Sequence, residues 1–229
     1  MRKLLALVGM VLLCTLGFAD EIRLIEPGEF HGSDVETIHV VDNELWLGLF
    51  PRGEQYFWHK VVVRSKLSHD ELVDDEGVDT GRTFAAVSGT AVPLFLIRGL
   101  DRLASNEVTT LKRDTLLDNG SSVPITLNGV EYRIEVTNSK TKEKVIGAGS
   151  KIVLVRGDTQ QDLFALSGNA NEPDWRLIWA GDLDGDGKLD FYVDLSDHYN
   201  VAHKRLFLSS QAEPGKLVKQ VAEFVTTGC

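Results

Sequence analysis

Apolar residues along this chain recur mostly at every second position or in short unbroken runs, and rarely at helical spacing. Tyr132, Ile134 and Val136 alternate with Arg133 and Glu135, the pattern of a strand with one buried and one wet face. Short β-branched and aromatic runs punctuated by Gly, Asn, Asp and Pro extend from Val35 to Val225. Val35–Val41 and Glu44–Phe50 flank Asp42-Asn43, and Val123–Leu127 and Val130–Val136 flank Asn128-Gly129, so each pair predicts a hairpin. Further strands are expected at Phe57–Arg64, Val92–Arg98, Lys151–Val155, Leu163–Leu166, Trp175–Ala180, Leu189–Leu195, Arg205–Leu208 and Leu217–Val225. Only Ser68–Val73 and Arg98–Ser105 suggest helices, both short. The pattern predicts an all-β protein, an antiparallel sandwich or partly open barrel with few short helices. Leu111–Ser122 is polar, and Asp118-Asn119-Gly120-Ser121-Ser122 is its most linker-like piece, which divides the chain into β-rich regions at 20–118 and 119–229.

Composition narrows the partners. With 43% hydrophobic and 25% charged residues the chain is neither disordered nor a multi-span membrane protein. Its formal charge is −10 and no basic cluster interrupts it, which argues against a nucleic-acid or anionic-membrane partner.

Arg2-Lys3 precedes the apolar run Leu4–Leu13, and Gly17-Phe18-Ala19 places small residues where a signal peptidase requires them. Residues 1–19 are therefore expected to be a signal peptide, giving a periplasmic or secreted chain that begins at Asp20. The apolar run is too short for a membrane span, which takes about 20 residues. Leu13 before Cys14 disfavours a lipid anchor. Cys229 is then the one remaining thiol, excluding an internal disulfide framework; it could tuck beside the last strand or bridge two copies as a dimer.

The chemistry concentrates in Gly181-Asp182-Leu183-Asp184-Gly185-Asp186-Gly187-Lys188-Leu189-Asp190. Carboxylates stand at loop positions 1, 3, 5 and 9 counted from Asp182, Gly187 supplies a sharp turn at position 6, and the Lys188 carbonyl adds a neutral oxygen at position 7. Carboxylates packed so closely repel one another unless a cation neutralises them, and an all-oxygen set favours calcium.

This segment resembles the D-x-D-x-D-G-x-x-D calcium loop shared by EF-hands, dockerins and the FG-GAP/VCBS (integrin alpha-chain type) family. Val193 stands at position 12, where the first two want an acid, and strand-like Trp175–Trp179 and Leu189–Leu195 replace their helices. Strand–loop–strand is the FG-GAP arrangement. The resemblance implies Asp182, Asp184, Asp186 and Asp190 as side-chain ligands, with Lys188 as a backbone ligand of a structural calcium ion. It covers about Trp175–Asp194, and the chain holds one copy where propeller-forming members have many.

Asp197-His198-Tyr199-Asn200 with His203 forms the next binding-site candidate, with Asp194 and Asp197 as extra ion ligands. The acidic run from Asp70 to Asp79 reads as a solvated connection, and Trp46 and Trp58 as core residues that on edge strands could instead stack on a sugar. No G-x-S-x-G or H-E-x-x-H occurs, and no catalytic residue is assigned. The expectation is a non-enzymatic binding or interaction module of the bacterial cell envelope. The alternatives are a calcium-stabilised secreted glycan hydrolase or a carbohydrate-binding module.

Overall fold

The structure, a computed structural model, describes residues 22–71, 73–87, 91–100, 107–168 and 170–228. The signal-like segment, Cys14 and Cys229 lie outside the described residues, as does most of Arg98–Ser105. In chain order the elements are β1 (Arg23–Ile25), β2 (Gly28–Phe30), α1 (Ser33–Thr37), β3 (Leu45–Arg52), β4 (Gln55–Ser68) and β5 (Gly81–Ala86). Then follow β6 (Leu96–Arg98), β7 (Glu107–Leu116), β8 (Ser122–Leu127), β9 (Val130–Asn138) and β10 (Ser150–Arg156). The last are β11 (Thr159–Ala165), β12 (Arg176–Asp182), β13 (Asp190–Asp194), β14 (Val201–Leu208) and β15 (Lys219–Thr227).

The protein is all-β, and every strand pair among the described residues is antiparallel. One eleven-stranded sheet runs β1-β6-β3-β4-β7-β12-β13-β14-β15, with β5 and β2 branching from the far half of β4. Because β15 comes alongside β1 without pairing, this sheet is nearly a barrel. A second sheet, β11-β10-β9-β8, packs on its outside.

Two apolar clusters explain why β12–β14 are so uniformly hydrophobic. Trp179, Tyr192, Leu206 and Leu208 point into the barrel among Trp46, Trp58 and Phe95. Leu177, Phe191, Val193 and Phe207 point the other way, onto Ile134, Ile152 and Leu154 of the small sheet. Both faces are covered, so the usual inward–outward alternation gives way to a continuous apolar run. Each fully buried side chain of this size contributes roughly 1.5–3 kcal/mol.

Three expectations require correction. Val35–Val41 forms no hairpin with Glu44–Phe50: Ser33–Thr37 is a helical turn, because Asp34 and Glu36 favour its first turn and the Thr37 hydroxyl donates back to the Asp34 carbonyl at 2.9 Å. Where a helix is expected from Ser68 to Val73, Ser68 ends β4 and the described residues Glu71 and Val73 lie in turns. The polar Leu111–Ser122 stretch is no linker at its start: β7 pairs with β12 inside the large sheet, and its side chains are polar because most remain partly or fully exposed.

Candidate metal centre

β12 delivers the chain to the loop under a tight steric constraint. A Cβ at Gly181 would lie 1.8 Å from the Thr109 carbonyl oxygen, so only glycine lets β12 and β7 approach this closely across their bulge. Gly181 is register-paired with Asp190, and the segment between them is the loop.

The carboxylates organise the backbone that carries them. Asp182 accepts from the N–H groups of Gly185 at 2.8 Å and Gly187 at 3.0 Å, and Asp186 accepts from Lys188 at 2.8 Å. Gly187 has φ of 78°, a left-handed conformation that L side chains adopt at a cost. Two apolar anchors hold the loop down in opposite directions, Leu183 into the barrel core and Leu189 into the outer core.

Three separate segments from the two sheets meet here. The Trp58 indole N–H donates to the Leu183 carbonyl at 3.0 Å. Asn128, at the tip of the β8–β9 hairpin, donates to the Gly187 carbonyl at 3.1 Å. At the end of β14, the Ser209 N–H donates to Asp190 at 2.8 Å, its hydroxyl lies 2.9 Å from Asp190 and 3.0 Å from Asp186, and the Ser210 hydroxyl bonds Asp184.

One carboxylate oxygen from each of Asp182, Asp184 and Asp190 comes within 4.8 Å of the other two. Ligands of one calcium ion, 2.3–2.6 Å from it, can stand no more than about 4.6–5.2 Å apart, so these three fit a single shell. Asp186 is turned aside, toward the Lys188 ammonium at 3.3 Å and Ser209. Asp190 is fully buried, and that burial, with the nearby Asp184 charge, pushes its carboxyl up to about 8 against the pull of the Ser209 and Leu183 donors. Burial likewise raises Asp182, helped by the charges of Asp186 and Asp184 and opposed by the Gly187 and Gly185 N–H groups. A cation among them reverses both trends by favouring the ionised forms.

The supporting residues escape sequence reasoning. Ser209, Asn128 and Trp58 lie 19, 62 and 132 positions from Asp190, and only the paired Ser209-Ser210 after an apolar strand is suggestive.

The remaining candidates lie apart from the carboxylate group. Asp194 belongs to the opposite end of β13, paired in register with Arg176, and neither it nor Asp197 joins the carboxylate group. His198 contacts Asn171 at 3.0 Å, whereas His203 contacts Glu223 at 3.0 Å, so the two imidazoles serve separate partners. The acidic run is an ordered turn: Asp74 accepts from the N–H groups of Asp70 and Thr80, both at 2.8 Å, and from the Thr80 hydroxyl, which hold its carboxyl down at about 2. Trp46 and Trp58 are 1% and 4% exposed on interior strands, which removes them as a sugar-stacking platform.

Compared with known proteins, the chain matches no family model, no curated protein and no solved structure.

Proposed function

We propose that this chain is an exported, non-enzymatic binding or interaction module of the cell envelope, stabilised by one structural calcium ion in an FG-GAP-like loop. The observation that carries the reading is the convergence of Asp182, Asp184 and Asp190 oxygens at ion-shell separation. The Lys188 ammonium lies 3.3 Å from Asp186, which stands outside the group of three carboxylates. The Lys188 carbonyl at position 7 and the Asp186 carboxylate complete the ligand set that the resemblance implies. Export is supported by the order of Arg2-Lys3, the apolar run and Gly17-Phe18-Ala19.

The ion's role is structural because the loop joins three segments of the two sheets through Trp58, Asn128 and Ser209. Binding to the folded state alone adds stability of RT ln(1 + [L]/Kd), about 2.7 kcal/mol at a hundredfold excess over Kd. Thermal melts in chelator, calcium and magnesium test this. Calcium should raise the melting temperature well above magnesium, whose near-octahedral shell of 2.0–2.1 Å is harder for protein oxygens to close. Identical melts in all three overturn the reading.

A further inference from the structure

A cavity of about 670 Å³ opens at the opposite end of β12 and β13 from the carboxylate loop. Asp190 belongs to the loop and Asp194 to the cavity, four residues on, or about 13 Å at 3.3 Å per residue. The cavity's polar side is built from fixed parts. Glu26, in the β1–β2 connection, accepts from the hydroxyl of the buried Tyr192 at 3.0 Å through one oxygen and from the Lys204 ammonium through the other. Asp194 accepts from the N–H groups of Ser196 at 3.2 Å and His203 at 3.0 Å, both through Oδ1. Its Oδ2 makes no hydrogen bond among the described residues, and two of the three Lys204 ammonium protons remain beyond the one given to Glu26.

Pro93, Leu94 and Ile178 add apolar surface to the cavity lining. Tyr199, which also lines the cavity, is 65% exposed, its ring backed by the His198 imidazole at a centroid distance of 4.7 Å. Tyr199 belongs to the segment singled out from sequence as a binding candidate, and its place is at this cavity and away from the ion loop.

An adjacent acceptor and donor suit a ligand whose groups both give and take hydrogen bonds. Vicinal hydroxyls do so, each oxygen donating to a carboxylate while accepting from an ammonium. An apolar ligand would desolvate the Asp194 Oδ2 and the remaining Lys204 ammonium protons without giving them a hydrogen-bond partner. An anion would face three lining carboxylates, Glu26, Asp174 and Asp194, against two cations, Arg176 and Lys204, and Arg176 is engaged by Asp114 and Asp174. A sugar ring also presents an apolar C–H face, which an exposed tyrosine and an aliphatic wall can cover. We infer that this cavity is a seat for a neutral saccharide, in which Asp194 and Lys204 take two adjacent hydroxyls and Tyr199 carries the C–H face of the ring. The site shares no residue with the calcium loop and does not rest on it.

Calorimetric titration of the full chain, with calcium present, tests the assignment with cellohexaose, chitohexaose and maltohexaose, and with hexagalacturonate as the acidic counterpart. At least one neutral oligosaccharide should bind saturably and more tightly than hexagalacturonate. Tyr199→Ala and Asp194→Asn should each weaken that binding at least about fivefold, a ratio read directly from Kd. Tyr199 is exposed, so Tyr199→Ala decides the matter alone should Asp194→Asn not fold. The assignment is overturned by no binding of any neutral oligosaccharide, by hexagalacturonate binding equally well, or by a folded variant that stays within fivefold of the wild type.

Discussion

The indole N–H of Trp58 donates to the carbonyl of Leu183 at 3.0 Å, tying the first part of β4 to a loop 125 residues further along the chain. Both groups are buried, so removing the donor leaves a carbonyl without a partner in an apolar setting. Trp58→Phe should therefore destabilise the protein by about 1–3 kcal/mol, from the lost bond together with the smaller ring. Urea unfolding followed by circular dichroism measures the change. The gain in melting temperature on adding calcium should also shrink in this variant. Wild-type stability with an unchanged calcium response would remove Trp58 as the link between barrel and loop.

Gly181 marks the closest approach of β12 to β7. A methyl there meets the Thr109 carbonyl oxygen at 1.8 Å, which is relieved only by separating two central strands. Gly181→Ala should cost several kcal/mol, about the upper range for single substitutions, or prevent folding. Gly147→Ala, whose added methyl meets nothing within 4 Å, is the matched control and should stay within about 0.5–1 kcal/mol of wild type. Equal urea midpoints for the two variants would contradict the packing described.

In the absence of a cation, Asp190 gives the protein a pH dependence of definite sign. Its folded-state carboxyl ionises near 8 against an ordinary value of 3.8, so between those values the folded state holds a proton that the unfolded state has released. Stability must then fall as pH rises through this window. The penalty is absent below about pH 4 and fully developed above about pH 8, where it is on the order of 5 kcal/mol. Asp182 and Asp194, both raised by burial, act in the same direction. Melting temperatures in chelator should decline from about pH 5 to about pH 8, and the gain on adding calcium should widen over the same range as the ion displaces the proton. Asp190→Asn should flatten the decline. A chelated wild type that becomes more stable across this window would contradict the assignment.

What was legible in the sequence follows from how local each cause is. Asn128-Gly129 turns as expected, with φ of 50° and 78°, because a two-residue hairpin needs only its own left-handed residues and the alternation on either side. Asp42-Asn43 carries a similar signal and fails. There α1 replaces the first strand, and the Asp34 carboxylate accepts from the Thr227 N–H at 2.7 Å, a tie to the far end of the chain. The acidic loop was visible through its spacing alone. Its supports were not, since Trp58, Asn128 and Ser209 act through distant strands. Composition likewise gave no sign of β7: a polar strand whose side chains stay partly or fully exposed shows no strand pattern until the partners on both sides are known.

The most direct test of the account is a calorimetric titration of the chelated protein with calcium, run beside Asp190→Asn. The variant keeps the shape of the buried side chain and removes one charge from the group formed with Asp182 and Asp184. The account predicts saturable binding at one site per chain for the wild type, and at least about a hundredfold weaker binding for the variant, the loss of one charged ligand being worth roughly 3 kcal/mol. No heat from the wild type at millimolar calcium, or equal affinity in the two proteins, would contradict it.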